Sequence, residues 1–167
     1  MNKDWVVDIT YEDESYQEIA PEHLVEERLF AVLEALDVEP CELSLSFISD
    51  SQMQNLNKTY RDKDESTDIL SFAQDDDIED FSWPELSFAG DSAPPAEIRV
   101  LGDMVISIDT LKKNAQSFNV EFDEELFRLL IHGLLHLLGF DHASNDASEP
   151  MLMQQEQILR NLGGDKR

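Results

Sequence analysis

Apolar and polar residues alternate between two rhythms along the first part of the chain. Trp5 to Thr10 has the period-two pattern of a strand. In the next stretch Leu24, Val25, Leu29, Val32, Leu33 and Leu36 recur at helical spacing, and Pro21 suits a first turn, so a helix is predicted over Pro21 to Leu36. Leu43, Leu45 and Phe47 alternate with Ser44, Ser46 and Ile48, which predicts a half-buried strand. Asp50 or Ser51 is placed to cap a short helix through Tyr60, and Asp68 to Ala73 reads as a strand.

The second half is more apolar. Val100 to Ser107 suits a buried strand, followed by a helix from Asp109 to Ser117. Asp123 is expected to cap the next helix, with Glu124 and Glu125 in its first turn. That helix, Leu126 to Leu138, is apolar on nearly every side and is therefore predicted to be central and buried, with Gly139 stopping it. An amphipathic helix over Ser148 to Leu162 ends at Gly163-Gly164. Strands interleaved with helices predict an α/β (α+β) fold. The expectation is a small mixed sheet of about four strands packed with about five helices, with residues 1–167 as a single domain.

Residues 74–98 break the rhythm. They hold eight acids, no Lys or Arg, and Pro84, Pro94 and Pro95, the composition of a long acidic loop inserted in the domain. Phe81, Trp83, Leu86 and Phe88 within it leave two roles open, folding back on the domain or contacting a partner. Over the whole chain the formal charge is −25. Such a field repels polyanions on average, yet a local site can differ from the mean. It suits solubility, an acid-rich proteome or a basic protein partner. Cys41 is the sole cysteine, so no intrachain disulfide forms, and a cytoplasmic location and a core-facing thiol are expected. No apolar run approaches the roughly 20 residues of a membrane span.

The chemistry concentrates in His132-Gly-Leu-Leu-His136-Leu-Leu-Gly139-Phe-Asp141-His142, where three of the chain's four histidines fall within eleven residues. His132 and His136, four apart on a helix, share one face with β-carbons roughly 5–6 Å apart. Gly139 breaks the helix and lets the chain turn back to bring in His142. Unpaired imidazoles are costly among apolar neighbours, so one metal ion, zinc above all, is the expected common partner. Three nitrogen ligands leave a fourth position open, as catalytic zinc sites do. His23, on an acidic helix, is expected at the surface.

The spacing resembles the metzincin protease pattern H-E-x-x-H-x-x-G-x-x-H. Gly133 stands where those proteases have their general-base Glu, so peptide hydrolysis by that route is not expected. Asp141 has two open roles, a replacement base or an acceptor for a ligand histidine's N–H. A second cluster, Lys58, Arg61 and Lys63, supplies three of the twelve basic residues within six positions. It is either an ion-pair network with Asp62, Asp64 and Glu65 or a cationic spot for phosphate, which Arg grips with two hydrogen bonds at once.

Three blocks together resemble the YbeY endoribonucleases. They are Leu56-Asn-Lys-Thr-Tyr-Arg-Asp-Lys-Asp-Glu-Ser-Thr-Asp-Ile-Leu-Ser-Phe72, Leu101-Gly-Asp-Met-Val-Ile-Ser107 and the His132–His142 segment. The resemblance spans roughly residues 40–162, and the acidic 74–98 loop is longer than is usual for the family. It implies an α/β fold and one zinc ion per chain on His132, His136 and His142. It implies a catalytic, substrate-binding Arg61 in the same cleft; Lys63 of the same cationic cluster is the second expected substrate contact. The implied activity is cleavage of single-stranded RNA in 3′-end maturation of small-subunit (16S) rRNA and in ribosome quality control. Implied partners are small-subunit proteins and a ribosome-assembly GTPase, with neither membrane nor DNA among them. The rivals are a non-catalytic assembly factor with a structural metal and a zincin-like hydrolase of another substrate.

Overall fold

The computed structural model describes residues 5–73, 99–140 and 149–162, and in it four strands form one mixed sheet, as the pattern predicted. Strand β1 (Val6–Tyr11) lies beside β2 (Cys41–Ile48), β2 beside β4 (Arg99–Ser107), and β4 beside β3 (Ile69–Ala73). The first three run parallel and β3 runs antiparallel to β4. Parallel neighbours need a crossover between them. Helices α1 (Tyr16–Ile19) and α2 (Glu22–Ala35) make the first one, and α3 (Asp50–Arg61) with β3 makes the second. Then come α4 (Ile108–Phe118), α5 (Phe122–Leu137) and α6 (Pro150–Leu162). The short α1 is the helix that the periodicity did not announce. The predicted 74–98 insertion lies outside the described residues.

β2 corrects the expectation of a half-buried strand. All but one of its residues are buried, including Ser44 and Ser46. The reason is its interior position, paired on both sides and covered on both faces. Its buried hydroxyls are satisfied within the sheet: Ser46 Oγ shares a 2.8 Å hydrogen bond with Thr10 Oγ1, and Ser44 Oγ donates to the Asp103 carboxylate.

The sheet separates two apolar clusters. On one face Leu43, Leu45, Phe47, Met104 and Ile106 pack with Val25, Leu29 and Leu33 of α2 and with Leu130, Ile131, Leu134 and Leu135 of α5; Cys41 is buried there as expected. On the other, Ile48, Leu70, Phe72 and Val105 pack with Met53, Leu56 and Tyr60 of α3. Strand alternation assigns the faces, since Met104 and Ile106 flank Val105 in sequence. No described helix is long and apolar enough to cross a membrane.

Helix starts differ from the predicted caps. Ser49, not Asp50 or Ser51, caps α3, its hydroxyl accepting from the Gln52 N–H at 3.3 Å. Ser107 caps α4 through the Thr110 N–H at 3.2 Å. The N-cap of α5 is Glu121, and the helix begins at Phe122 rather than Leu126. Asp123 is therefore inside the first turn with Glu124 and Glu125, where carboxylates meet the positive end of the helix dipole without having to cap it.

Gly102 marks an irregularity in β4. The register against β2 steps from Glu42↔Val100 to Leu43↔Gly102, leaving Leu101 as the extra residue of a bulge. Gly102 has φ +141°, and a β-carbon there would lie 2.2 Å from the Phe72 carbonyl oxygen. Only glycine suits that conformation and that close approach.

Candidate functional site

α5 lies against β3 and β4 and carries His132 and His136. Its closeness to the sheet depends on Gly133. A β-carbon at that position would stand 2.4 Å from Met104 Sδ, 2.8 Å from Ile69 Cδ1 and 3.3 Å from Ser71 Oγ. A side chain at the position held by the protease glutamate would thus have to displace Met104 and Ile69 from the helix–sheet contact.

The two imidazoles meet at their ε nitrogens. His132 Nε2 and His136 Nε2 are 3.2 Å apart, and the rings cross at 73°. Two nitrogens bound at about 2.0–2.1 Å to a tetrahedral ion would stand roughly 3.3–3.4 Å apart. The separation of the pair is compatible with two corners of such a site. The third predicted ligand, His142, and its neighbour Asp141 lie outside the described residues. Among the described residues no group of three His, Cys, Asp or Glu is close enough to hold an ion. α5 ends as the glycine signal predicted. Gly139 has φ +105°, its N–H donates to His136 O at 3.0 Å, and the Phe140 N–H donates to Leu135 O at 3.0 Å. This paired pattern is a Schellman stop, and it turns the chain away directly after His136.

His132 and His136 open into a cleft of about 220 Å³ that they line together with Arg61, Ile69, Leu70 and Ser71. Arg61 is the last residue of α3, because Asp62 turns into the left-handed region at φ 59°. The Arg61 NH2 group donates to Ser71 O at 2.9 Å, and its guanidinium carbon lies 4.8 Å from the centre of the Phe72 ring. Phe72 is itself held edge-on by Tyr60, with centroids 5.8 Å apart. The predicted arginine and the predicted histidine pair thus share one cleft although some seventy residues separate them.

The other predicted cations behave differently. Lys58 pairs with Asp64 at 4.0 Å between two exposed side chains, so part of the ion-pair alternative is realised. Exposed Lys63 follows Asp62 and is not among the residues lining the cleft; its backbone N–H donates to Asn57 O at 3.2 Å.

Two neighbours of His132 gave no signal in sequence spacing. Gln155 of α6 is buried, and its Oε1 lies 2.6 Å from His132 Nδ1. Asp68 precedes β3, and burial pushes its carboxyl up against the opposing pull of the Ile69 N–H and of nearby His132. Asn114 Nδ2 donates to it at 3.4 Å. Asp68 at least falls inside one of the quoted sequence blocks; Gln155 comes from a separate helix.

Comparison with known proteins decides the family. The family model described as Endoribonuclease YbeY matches residues 7–163. The chain belongs to the YbeY endoribonuclease family. It is 42% identical over 153 residues to Endoribonuclease YbeY of Treponema denticola, covering 92% of this chain and 90% of that one. To Endoribonuclease YbeY of Lysinibacillus sphaericus it is 36% identical over 161 residues, covering 95% and 97%. The fold is shared with the solution structure of TM1509 from Thermotoga maritima, at a TM-score of 0.57 and 22% identity over 92% of this chain and 87% of that one. The resemblance read from the three sequence blocks is therefore correct at the level of family and fold.

Proposed function

We propose that this chain is a zinc-dependent, single-strand-specific endoribonuclease of the cytoplasm, acting in maturation of the 3′ end of small-subunit rRNA and in ribosome quality control. The observation that carries the reading is the shared cleft. It sets a histidine pair at metal-ligand spacing with a fixed guanidinium, while Gly133 leaves no room for a protease base. The names of the relatives support ribonuclease chemistry. Residues 1–167 act as one domain, with the acidic 74–98 insertion and the small-subunit proteins and assembly GTPase supplying the wider contacts.

His132, His136 and His142 would hold the ion, and Asp141 would accept the N–H of a ligand histidine. When bound, zinc supplies a Lewis acid for a phosphate oxygen and lowers the pKa of water in its open position. Arg61 does the remaining electrostatic work. One of its N–H groups is committed to Ser71 O and its face to Phe72. A guanidinium has five N–H donors, so the others serve a phosphate without the side chain having to be reorganised. Because charge builds on the phosphate oxygens during cleavage, a donor fixed in advance lowers the barrier more than it tightens ground-state binding. Lys63, exposed and outside the cleft lining, would be the second contact with the RNA strand.

The test uses zinc-loaded chain and single-stranded fragments from the 3′ end of small-subunit rRNA. Arg61→Ala should slow cleavage by about 10²–10³-fold while its zinc content matches wild type. His136→Ala should lose both zinc and cleavage. Cleavage by both variants at the wild-type rate would defeat the proposal.

A further inference from the structure

His132 contacts α6 through a chain of polar side chains. Gln155 Oε1 lies 2.6 Å from His132 Nδ1, and Gln155 Nε2 donates to Glu156 Oε2 at 3.1 Å. Glu156 is in turn clamped by Arg128 of α5, which donates from Nε at 2.8 Å and from NH2 at 3.2 Å. Arg128 also binds Glu125 at 2.8 Å and Glu124 at 3.1 Å, so its guanidinium holds three carboxylates. Gln155 is 7% exposed, so it is shielded from competing water, while Arg128 and Glu156 are partly exposed.

The chain of donors has one direction. A carboxamide has two ends of nearly equal shape, and its hydrogen-bond partners decide which end faces where. Glu156, held by Arg128, is only an acceptor, so it takes the NH2 end of Gln155. The oxygen end is left for His132, and an amide oxygen only accepts. His132 Nδ1 must then carry the ring proton, which leaves the Nε2 lone pair to face His136 and the cleft. Without Gln155 the neutral ring could place its proton on either nitrogen, and the wrong choice would block the nitrogen that points into the site.

Resting on the metal reading of His132, we infer that Gln155 is a positioning residue: it fixes the tautomer and ring angle of His132, and the Glu156–Arg128 pair fixes the orientation of Gln155. The site is thereby coupled to the α5–α6 interface. Outer partners of ligand histidines change metal affinity by about ten- to a hundredfold when removed.

Two measurements test this. The first is the ¹⁵N imidazole spectrum of His132 in the metal-free chain, where a proton on Nδ1 is expected; a proton mainly on Nε2 overturns the inference. The second is zinc affinity by competition with a chelator, for the wild type, Gln155→Leu and Gln155→Glu. The leucine variant should bind about ten- to a hundredfold more weakly, while glutamate, which keeps an acceptor facing Nδ1, should restore most of the affinity. Loss of packing alone would weaken both variants alike. Leucine binding within twofold of wild type, or glutamate as weak as leucine, overturns the inference. If the wild type takes up no zinc, the metal reading fails, and the tautomer spectrum still decides the role of Gln155.

Discussion

Replacing Gly133 with alanine tests the packing argument that separates this site from a protease site. The added methyl would lie 2.4 Å from Met104 Sδ and 2.8 Å from Ile69 Cδ1. Comfortable carbon contacts are about 3.5–4.0 Å, so the neighbours must yield by roughly 1 Å. Met104 is fully buried and Ile69 sits in the cleft wall, and overpacking of this kind costs about 1–3 kcal/mol. Alanine offsets part of this, because it favours a helix interior over glycine by about 0.8–1.0 kcal/mol. The net expectation is a loss of about 1 kcal/mol, read as a lower urea midpoint in circular dichroism. Met104→Ala supplies the control. Alone it should cost about 2–5 kcal/mol as a cavity. In that background the extra methyl at 133 should become neutral or stabilising, which gives a coupling energy of about 1–2 kcal/mol. Gly133→Glu should prevent folding rather than create a peptidase. If Gly133→Ala proves as stable as wild type with Met104 intact, helix and sheet readily accommodate the methyl, and the packing explanation for the missing glutamate falls.

Three further outcomes are expected. Asp50 accepts from Ser66, Ser107, Thr110 and Lys113; burial pushes its carboxyl up, but these donors outweigh it and hold it well below the usual range. Its stabilisation is therefore complete above the unfolded-state pKa of about 3.9 and fades as pH falls toward the folded value, so the stability gap to Asp50→Ala should hold from pH 7 to about 4 and then narrow; a gap unchanged at pH 2.5 would contradict this. Gly102→Ala meets both a backbone carbonyl at 2.2 Å and a positive φ, and it should cost more in urea melts than Gly133→Ala; the reverse order would show that the bulge yields. Zinc at a hundred times its dissociation constant should stabilise the wild type by about 2.7 kcal/mol and His136→Ala hardly at all; equal shifts in melting temperature would place the ion elsewhere.

Much of the site was legible because its signals are local. Four-residue spacing put His132 and His136 on one helix face, and a single glycine ended that helix at the expected turn. Arg61 needed more than spacing, since its cationic cluster had an equally plausible ion-pair reading; only the fold brings it into the cleft of the histidine pair. What stayed hidden depended on tertiary placement. β2 looked half-buried because serines alternate with its apolar residues, and only its interior position explains why those serines are covered. Ser49 and Ser107 cap helices although each follows or ends a strand, and acids in the first turn of α5 imitated a cap. Gln155 approaches His132 from another helix, and no periodicity links position 155 to position 132.

The bond from Arg61 to Ser71 O has a consequence for what β3 cannot do. Among the described residues β3 has only β4 beside it, which makes it an edge strand there, the kind of border to which an extended peptide adds by backbone pairing. Arg61 already occupies one of its outward carbonyls and stacks on the next side chain. A polypeptide laid along this border would have to displace that guanidinium before it could form a ladder. The residue proposed to meet a phosphate thus also closes this border against strand addition, which disfavours both peptide substrates and edge-to-edge aggregation.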